Sequence, residues 1–298
     1  MSGECGVEVV RGSPSTLIVA CGGEAYVVDP GHGRKRAKEL ARILAGYERV
    51  TFLITHYHSD HHSTLGEGLL ERLEASGVEA VVAAPRADAP ALRDAGLRVL
   101  VTFGYPLEPG DPLLPFRAPS VKVDVELDAP ARLGPLELVA LPGHTPGQVG
   151  VIAPDGTLYA ADAVFGERVL ERYGVPYHLD PCRALESLDA LEGLLAGAGR
   201  LQPAHGPALQ AGEARGLVEA NRRAIKGLMD SILETLGEGQ ASSSELAAAI
   251  ASRLGARGEP GMLMLVETTT RGALACLHER GLVEPVASGG LRWRLARA

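Results

Sequence analysis

The chain has 298 residues, 46% of them hydrophobic, which is enough to bury one large core or two ordinary ones. Its formal net charge is −8, from 29 basic and 37 acidic side chains, so the molecule as a whole does not advertise itself as a polyanion binder. The charge is uneven: ten basic and eight acidic residues from Asn221 onward make +2, which leaves −10 on residues 1–220.

Cys5, Cys21, Cys182 and Cys276 are widely spaced and form no CxxC pair. This reads as buried thiols in a reducing cytosol, not as a thiolate zinc knuckle or a dense disulfide framework. The opening MSGECGVEVVRG does not have the basic-then-apolar pattern of a leader, and no uncharged apolar run approaches the roughly 18 residues of a membrane span. A soluble cytoplasmic protein without membrane contact is expected. Asparagine occurs only at Asn221 and Arg far outnumbers Lys, as in a thermophile or a GC-rich genome.

In chain order, GVEVVRG, STLIVACGG and EAYVVDPG read as strands, being rich in Val and Ile and bounded by Gly and Pro. RKRAKELARILAGY follows with Leu40, Ile43 and Leu44 at helical spacing, and RVTFLIT is a short β-branched run of buried-strand type. Helix and strand alternate again in LGEGLLERLEASG and VEAVVAAP. Tyr105 to Pro119 then carries five prolines, too many for a helix or a central strand, and is expected to be an ordered surface excursion. VKVDVELD, LELVALPGH, VGVIAP and TLYAAD resume the strand pattern, RALESLDALEGLLAG is an amphipathic helix, and RLQPAHGP is a strand ending in His205. From Leu217 the chain turns helical, with Val218, Ile225, Leu228, Ile232 and Leu236 on one face. SSSE at 242–245 predicts a capping box, Gly281 a helix C-terminus, and LVEPV, ASGG and LRWRL a hairpin. Helices followed by a C-terminal hairpin are the order of a winged helix.

The stretch TFLITHYHSDHH places His56, His58, Asp60, His61 and His62 where a buried strand ends, the position at which α/β folds hold ligands. His56 and His58 can point the same way from an extended strand end, and Asp60 and His61 follow as the chain turns. Two ligand pairs within six residues are able to feed two neighbouring divalent metals. His144 in LPGHTPGQVG, Asp162 in LYAADAVFG and His205 in LQPAHGP each close a later apolar run beside small residues or proline.

Over roughly residues 5–210 these motifs, in this order, resemble the metallo-β-lactamase superfamily, in the branch with glyoxalase II and the ribonuclease-like and lactonase members. The resemblance implies a four-layer αβ/βα sandwich (residues 1–215), followed by the small winged-helix domain (residues 216–298). By position it implies that His56, His58 and His144 hold one metal, that Asp60, His61 and His205 hold a second, and that Asp162 bridges them. Asp29 in VVDPG is expected behind the ligands and not on a metal. Zinc is the expected ion, with Mn or Fe accepted by the same donors. The implied chemistry is hydrolysis by a hydroxide bridging the two ions, with Asp60 orienting the nucleophile or moving a proton. This chain departs from the family pattern by adding His62, expected as a non-ligand, by delaying the glycines after the HxHxDH motif, and by placing Ala161 where a glycine usually precedes the bridging aspartate.

Specificity is expected in two inserts, residues 105–119 and 166–181, where Tyr173, Tyr177 and His178 are candidate substrate contacts. A small thioester or related ester is the favoured substrate. The alternative is a single-strand endoribonuclease, with Arg222, Arg223, Arg292, Arg294 and Arg297 of the winged helix on phosphate. The same tail serves equally for homodimerisation or for covering the site. A non-catalytic nucleic-acid-binding regulator is the third reading.

Overall fold

The computed structural model describes residues 5–114, 119–255 and 260–297. Its first half runs β1 (Gly6–Val10), β2 (Thr16–Cys21), β3 (Glu24–Val28), α1 (Arg34–Leu44), β4 (Arg49–Leu53), α2 (Ser59–His62), α3 (Leu69–Ala75), β5 (Glu79–Pro85), α4 (Ala89–Arg93), α5 (Ala95–Phe103) and β6 (Val125–Leu127). It continues through β7 (Ala131–Leu133), β8 (Leu136–Ala140), β9 (Val149–Ile152), β10 (Thr157–Ala161), α6 (Glu167–Tyr173), α7 (Pro181–Leu194), β11 (Arg200–Pro203) and β12 (Leu209–Gln210). The tail holds α8 (Ala211–Glu238), α9 (Ser243–Arg253), α10 (Pro260–Glu279), β13 (Val283–Ala287) and β14 (Leu291–Leu295).

Strands β1 to β6 form one six-stranded sheet in sequence order, and β12-β11-β10-β9-β8-β7 form a second. Period-two alternation sorts their side chains into layers. Leu17, Val19, Leu53 and Ala83 face Leu138, Val151 and Tyr159 of the other sheet and fill the space between the two. Their neighbours Ile18, Phe52, Val82 and Ala84 point the opposite way, onto α1, α3 and α4. Leu158, Ala160 and Leu201 point outward from the second sheet onto α7, α8 and the tail. The result is helices, sheet, sheet, helices, the mixed α/β sandwich that the sequence implies.

Strands β3, β4 and β5 run parallel to one another, as do β10 and β11. Their C-terminal ends therefore open toward one edge of the paired sheets, which is where the loops bearing Asp29, His56 to His61, Asp162 and His205 emerge. Ala161, just before Asp162, has φ 48°, a left-handed backbone that strains a residue with a Cβ. It sits where the β10–β11 register shifts, so the strand kinks at the point that aims Asp162.

Two expectations change, for the cysteines and for VKVDVELD, and the proline-rich excursion differs from its expected surface placement only at Leu114. The four cysteines are not thiols: Cys5 joins Cys21 and Cys182 joins Cys276. Sequence spacing hid the first pair, because β1 and β2 run antiparallel with Gly6 opposite Ala20 and bring the preceding and following residues together. The second pair needs α7 and α10 to pack, which spacing cannot foresee. Of VKVDVELD, only Val125–Leu127 forms a strand. Asp124 interrupts the ladder because its carboxylate, in place of a backbone carbonyl, accepts the Val82 N–H at 3.0 Å. In the proline-rich excursion, residues 105–114 contain neither helix nor strand, residues 115–118 lie outside the described chain, and Leu114 is buried against Val99 and Phe103.

The tail follows its local signals. Ser242 and Glu245 make the reciprocal capping box at the start of α9, and Gly281 ends the α10 region at φ 72°. The β13–β14 hairpin gains a third partner where Ala241 and Trp293 exchange backbone hydrogen bonds of 3.1 and 2.8 Å. Helix α8 begins at Ala211, so the expected boundary at 215/216 falls inside a continuous helix. Its inner face shares one apolar cluster with α7, α9 and α10. Among the described residues no helix is long and apolar enough to cross a membrane.

Candidate metal centre

Seven of the residues singled out in the sequence meet at the open edge. His56, His58 and His144 offer nitrogens within 4.8 Å of one another, and Asp60, His61 and His205 form a second such group. Asp162 stands between them. Its Oδ2 lies 3.4 Å from His144 Nε2 and 3.5 Å from His205 Nε2, and its Oδ1 lies 3.5 Å from His61 Nε2. Asp60 Oδ2 is 3.2 Å from His205 Nε2.

The imidazoles are turned by what lies behind them. The His144 Nδ1–H donates to the Tyr177 carbonyl at 2.7 Å, which leaves Nε2 facing the cluster. The His61 Nδ1–H donates to Asp29 Oδ2 at 2.8 Å with the same consequence. Asp29 is fully buried and also accepts the Thr55 N–H at 2.8 Å, the Thr55 hydroxyl at 2.7 Å and the Tyr159 hydroxyl at 3.1 Å. It therefore touches the ligand loop from behind. It is also grouped with His56 and His61 as an arrangement able to hold an ion, but four protein donors already converge on its carboxylate, three of them on Oδ2. His205 Nδ1 meets the Ser13 hydroxyl at 2.8 Å.

Two features show that these donors fit divalent cations. First, His56 Nε2 and Asp162 Oδ1 are buried without a hydrogen-bond partner among the described residues, a costly state for polar atoms unless a ligand answers them. Second, ring nitrogens converge on one another, 2.7 Å between His58 Nδ1 and His144 Nε2 and 3.3 Å between His61 Nε2 and His205 Nε2, so that lone pairs from both histidine groups are gathered at one place. Electrostatics divide the cluster in two. Burial, reinforced by neighbouring imidazoles, pushes His56 and His58 well below the usual histidine range, and burial also lowers His144. At His61 and His205 burial pulls the same way, but the carboxylates of Asp162 and Asp60 outweigh it and raise both. Burial of Asp162 and Asp60 is likewise overcome by the facing histidines, which hold both carboxyls below the ordinary range. The site therefore offers three neutral imidazoles on one side and an acid-rich group on the other.

His62 is buried outside both groups, its Nε2 3.3 Å from the Tyr57 carbonyl, and burial beside Arg98 holds its pKa down to about 3. Among the insert candidates, Tyr173 and Tyr177 line the cavity above the cluster. The Tyr177 ring packs 5.1 Å from His58 and 5.3 Å from His144, while its hydroxyl donates to the Thr102 carbonyl at 3.3 Å, away from the ligands. His178 does not line the cavity: it is buried behind His144 with ring centroids 5.8 Å apart.

Asp88 was not singled out in the sequence. It follows β5 and is fully buried, and it accepts the Tyr57 N–H at 3.1 Å, the Thr145 hydroxyl at 2.6 Å and the Gly147 N–H at 2.7 Å. It thereby ties the HxH loop to the loop after His144. Burial lifts its pKa to about 6 against these three donors. The signal that marked Asp162, an acidic residue just past a buried strand, applied to Asp88 too. Gly143, at φ 126°, lets the His144 loop pass under α7, since a Cβ there would strike the Ala184 backbone.

The family model described as "Metallo-beta-lactamase superfamily" matches residues 9–205. Among solved structures, a metallo-beta-lactamase family protein from Thermus thermophilus superposes with TM-score 0.69 at 21% identity, covering 98% of each chain. A beta-lactamase domain protein from Burkholderia ambifaria gives TM-score 0.66 at 18% identity, covering 98% of this chain and 91% of its own. Both likenesses extend through the C-terminal helices. A ribonuclease Z from Mycobacterium avium (strain 104) is 44% identical over 63 residues, a match that spans 21% of either chain.

Proposed function

The chain belongs to the metallo-β-lactamase superfamily, and from that premise we propose a two-metal hydrolase of an ester-type bond, a small thioester or related ester foremost. In this reading His56, His58 and His144 hold one cation, Asp60, His61 and His205 the other, and Asp162 both. Zinc is the proposed ion, with Mn or Fe accepted by the same donors. Bound divalent cations would supply Lewis-acid polarisation of the scissile group and a more acidic attacking water.

The remaining work falls to the chain. Asp60 lines the cavity with its carboxylate kept ionised by His61 and His205, ready to orient the attacking water and accept its proton. Asp29 and the Tyr177 carbonyl fix the tautomers of His61 and His144. Phe165, close to His144 and His205, shields the cluster from bulk water. The observation that carries the reading is the pair of donor groups around Asp162, in which His56 Nε2 and Asp162 Oδ1 are buried and make no hydrogen bond among the described residues.

We read residues 1–215 as the catalytic domain and residues 216–298 as a winged helix. Three helices, a hairpin and the Ala241–Trp293 pairing support the second assignment. The ribonuclease Z match supports RNA as the rival substrate. Against it, four of the five candidate phosphate contacts, Arg222, Arg223, Arg292 and Arg294, are engaged by acidic side chains of this chain, while Arg297 has no ion pair among the described residues. Exposed Leu282, Leu291 and Leu295 suit a second copy better than a phosphate backbone. The test compares zinc- or manganese-loaded protein on acyl-CoA, S-acyl glutathione, a lactone and single-stranded RNA, with Asp60→Ala as control. Turnover of an ester or thioester that Asp60→Ala removes is expected; RNA cleavage without ester turnover refutes the reading.

A further inference from the structure

The ligand cluster forms the floor of a cavity of about 450 Å³, within the usual range for small-molecule sites. His58, Asp60, His144, Asp162 and His205 all line it, so whatever fills it lies against the reacting centre. Above this floor the walls are apolar and come from both halves of the chain. Val99 and Phe103 of α5 and Leu114 of the proline-rich insert face Met262, Leu263 and Leu265 of α10. Leu263 is 45% exposed, so the apolar lining continues to the opening. Arg168 and Arg172, one turn apart on α6, line the same cavity, are exposed, and make no ion pair among the described residues. They contrast with Arg222, Arg253, Arg271, Arg292 and Arg294 of the tail, each of which meets an acidic side chain of this chain. Arg172 lies 5.3 Å over the Tyr173 ring, which braces it at the mouth.

We propose that the substrate is a thioester or ester with an unbranched hydrocarbon acyl arm of medium length, seated in the cleft between α5 and α10, and an anionic leaving portion held by Arg168 and Arg172. This rests on the hydrolase reading above and narrows it. In the reaction the oxygen of water bonds to the acyl carbon and the C–S bond breaks. The proton released passes by way of Asp60 to the leaving thiolate, so a free carboxylic acid and a thiol result. The arm contributes binding through burial of its methylenes, and the arginines contribute charge-assisted hydrogen bonds to phosphate.

The full-length, metal-loaded protein is assayed on acetyl-, butanoyl-, octanoyl- and dodecanoyl-CoA. kcat/KM is expected to rise roughly fourfold per added methylene until the cleft fills. Leu263→Asp at the mouth and Val99→Phe inside should each flatten this slope. Should Val99→Phe not fold, the surface variant alone decides. The Arg168→Glu, Arg172→Glu double variant should raise KM for octanoyl-CoA about tenfold more than for octanoyl-pantetheine, which has no phosphates. Independently of turnover, the metal-free protein should bind decanoate and not butyrate in calorimetry. A slope near zero with measurable hydrolysis overturns this inference and leaves the hydrolase reading standing. No hydrolysis at any chain length overturns both.

Discussion

The open edge of the two sheets and the C-terminal helices treat charge in opposite ways. At the edge, His56 Nε2 and Asp162 Oδ1 are buried and make no hydrogen bond among the described residues, and the histidines beside them are held by Asp29, the Tyr177 carbonyl and Ser13. In the tail, charged groups lie at the surface and answer one another: Arg292 with Glu245, Arg294 with Glu284, and Arg253 with Glu234 and Glu238. Exposed pairs of this kind contribute little energy, roughly 0–1 kcal/mol each, but they neutralise a surface that would otherwise attract phosphate. The edge thus keeps buried polar atoms for a ligand, whereas the tail pairs most of its charges internally and presents α10 as a cavity wall.

The largest break in this comparison should come from Asp60. Asp60→Ala removes the proposed proton acceptor and one cation donor, and kcat should fall by roughly 10²–10⁴-fold in steady-state assays. A variant with full activity would remove Asp60 from the chemistry. On the tail side, Cys276→Ser frees α10 from α7 and should cost about 2–4 kcal/mol of stability in denaturant unfolding while metal content is retained. Loss of metal in that variant would show that the two regions are not separable.

Much of this contrast was legible in the sequence. The HxHxDH stretch and the strand-terminal His144, Asp162 and His205 are local patterns, since a short buried strand ends where its apolar run ends. Helix caps such as Ser242 with Glu245 are local as well. What escaped depends on contacts between distant loops. Asp88 gains its role only because the loops bearing Tyr57 and Thr145 both reach it. Ser13 matters only because the end of β11 arrives beside it, and Cys182 and Cys276 pair only once α7 and α10 pack. Residues 121–123 look like a strand and are buried like one, yet the Asp124 carboxylate takes the place of a ladder acceptor.

Asp29→Asn should weaken metal affinity or activity by about 10–100-fold, because the amide cannot both orient His61 and accept the Thr55 donors. An unchanged metal-binding isotherm would contradict its positioning role. The His178 imidazole is buried without a hydrogen-bond partner among the described residues, and burial lowers its pKa to about 3. The unfolded chain takes up a proton below about 6.5 while the folded chain resists until about 3. Its contribution to stability is therefore complete above pH 6.5 and is lost as the pH falls toward 3. At pH 5 this amounts to about 2 kcal/mol, so His178→Phe should reduce the loss of stability between pH 8 and pH 5 by that order. Equal acid sensitivity of the two proteins would show that His178 is protonated in the folded state.

The account stands on two cations sharing Asp162. Metal content per chain, measured by plasma mass spectrometry after zinc loading and desalting, tests this directly across the wild type, His205→Ala and Asp162→Ala. Two equivalents in the wild type, one in His205→Ala and a loss of tight binding at both positions in Asp162→Ala are predicted. A single equivalent in the wild type, left unchanged by His205→Ala, would contradict it.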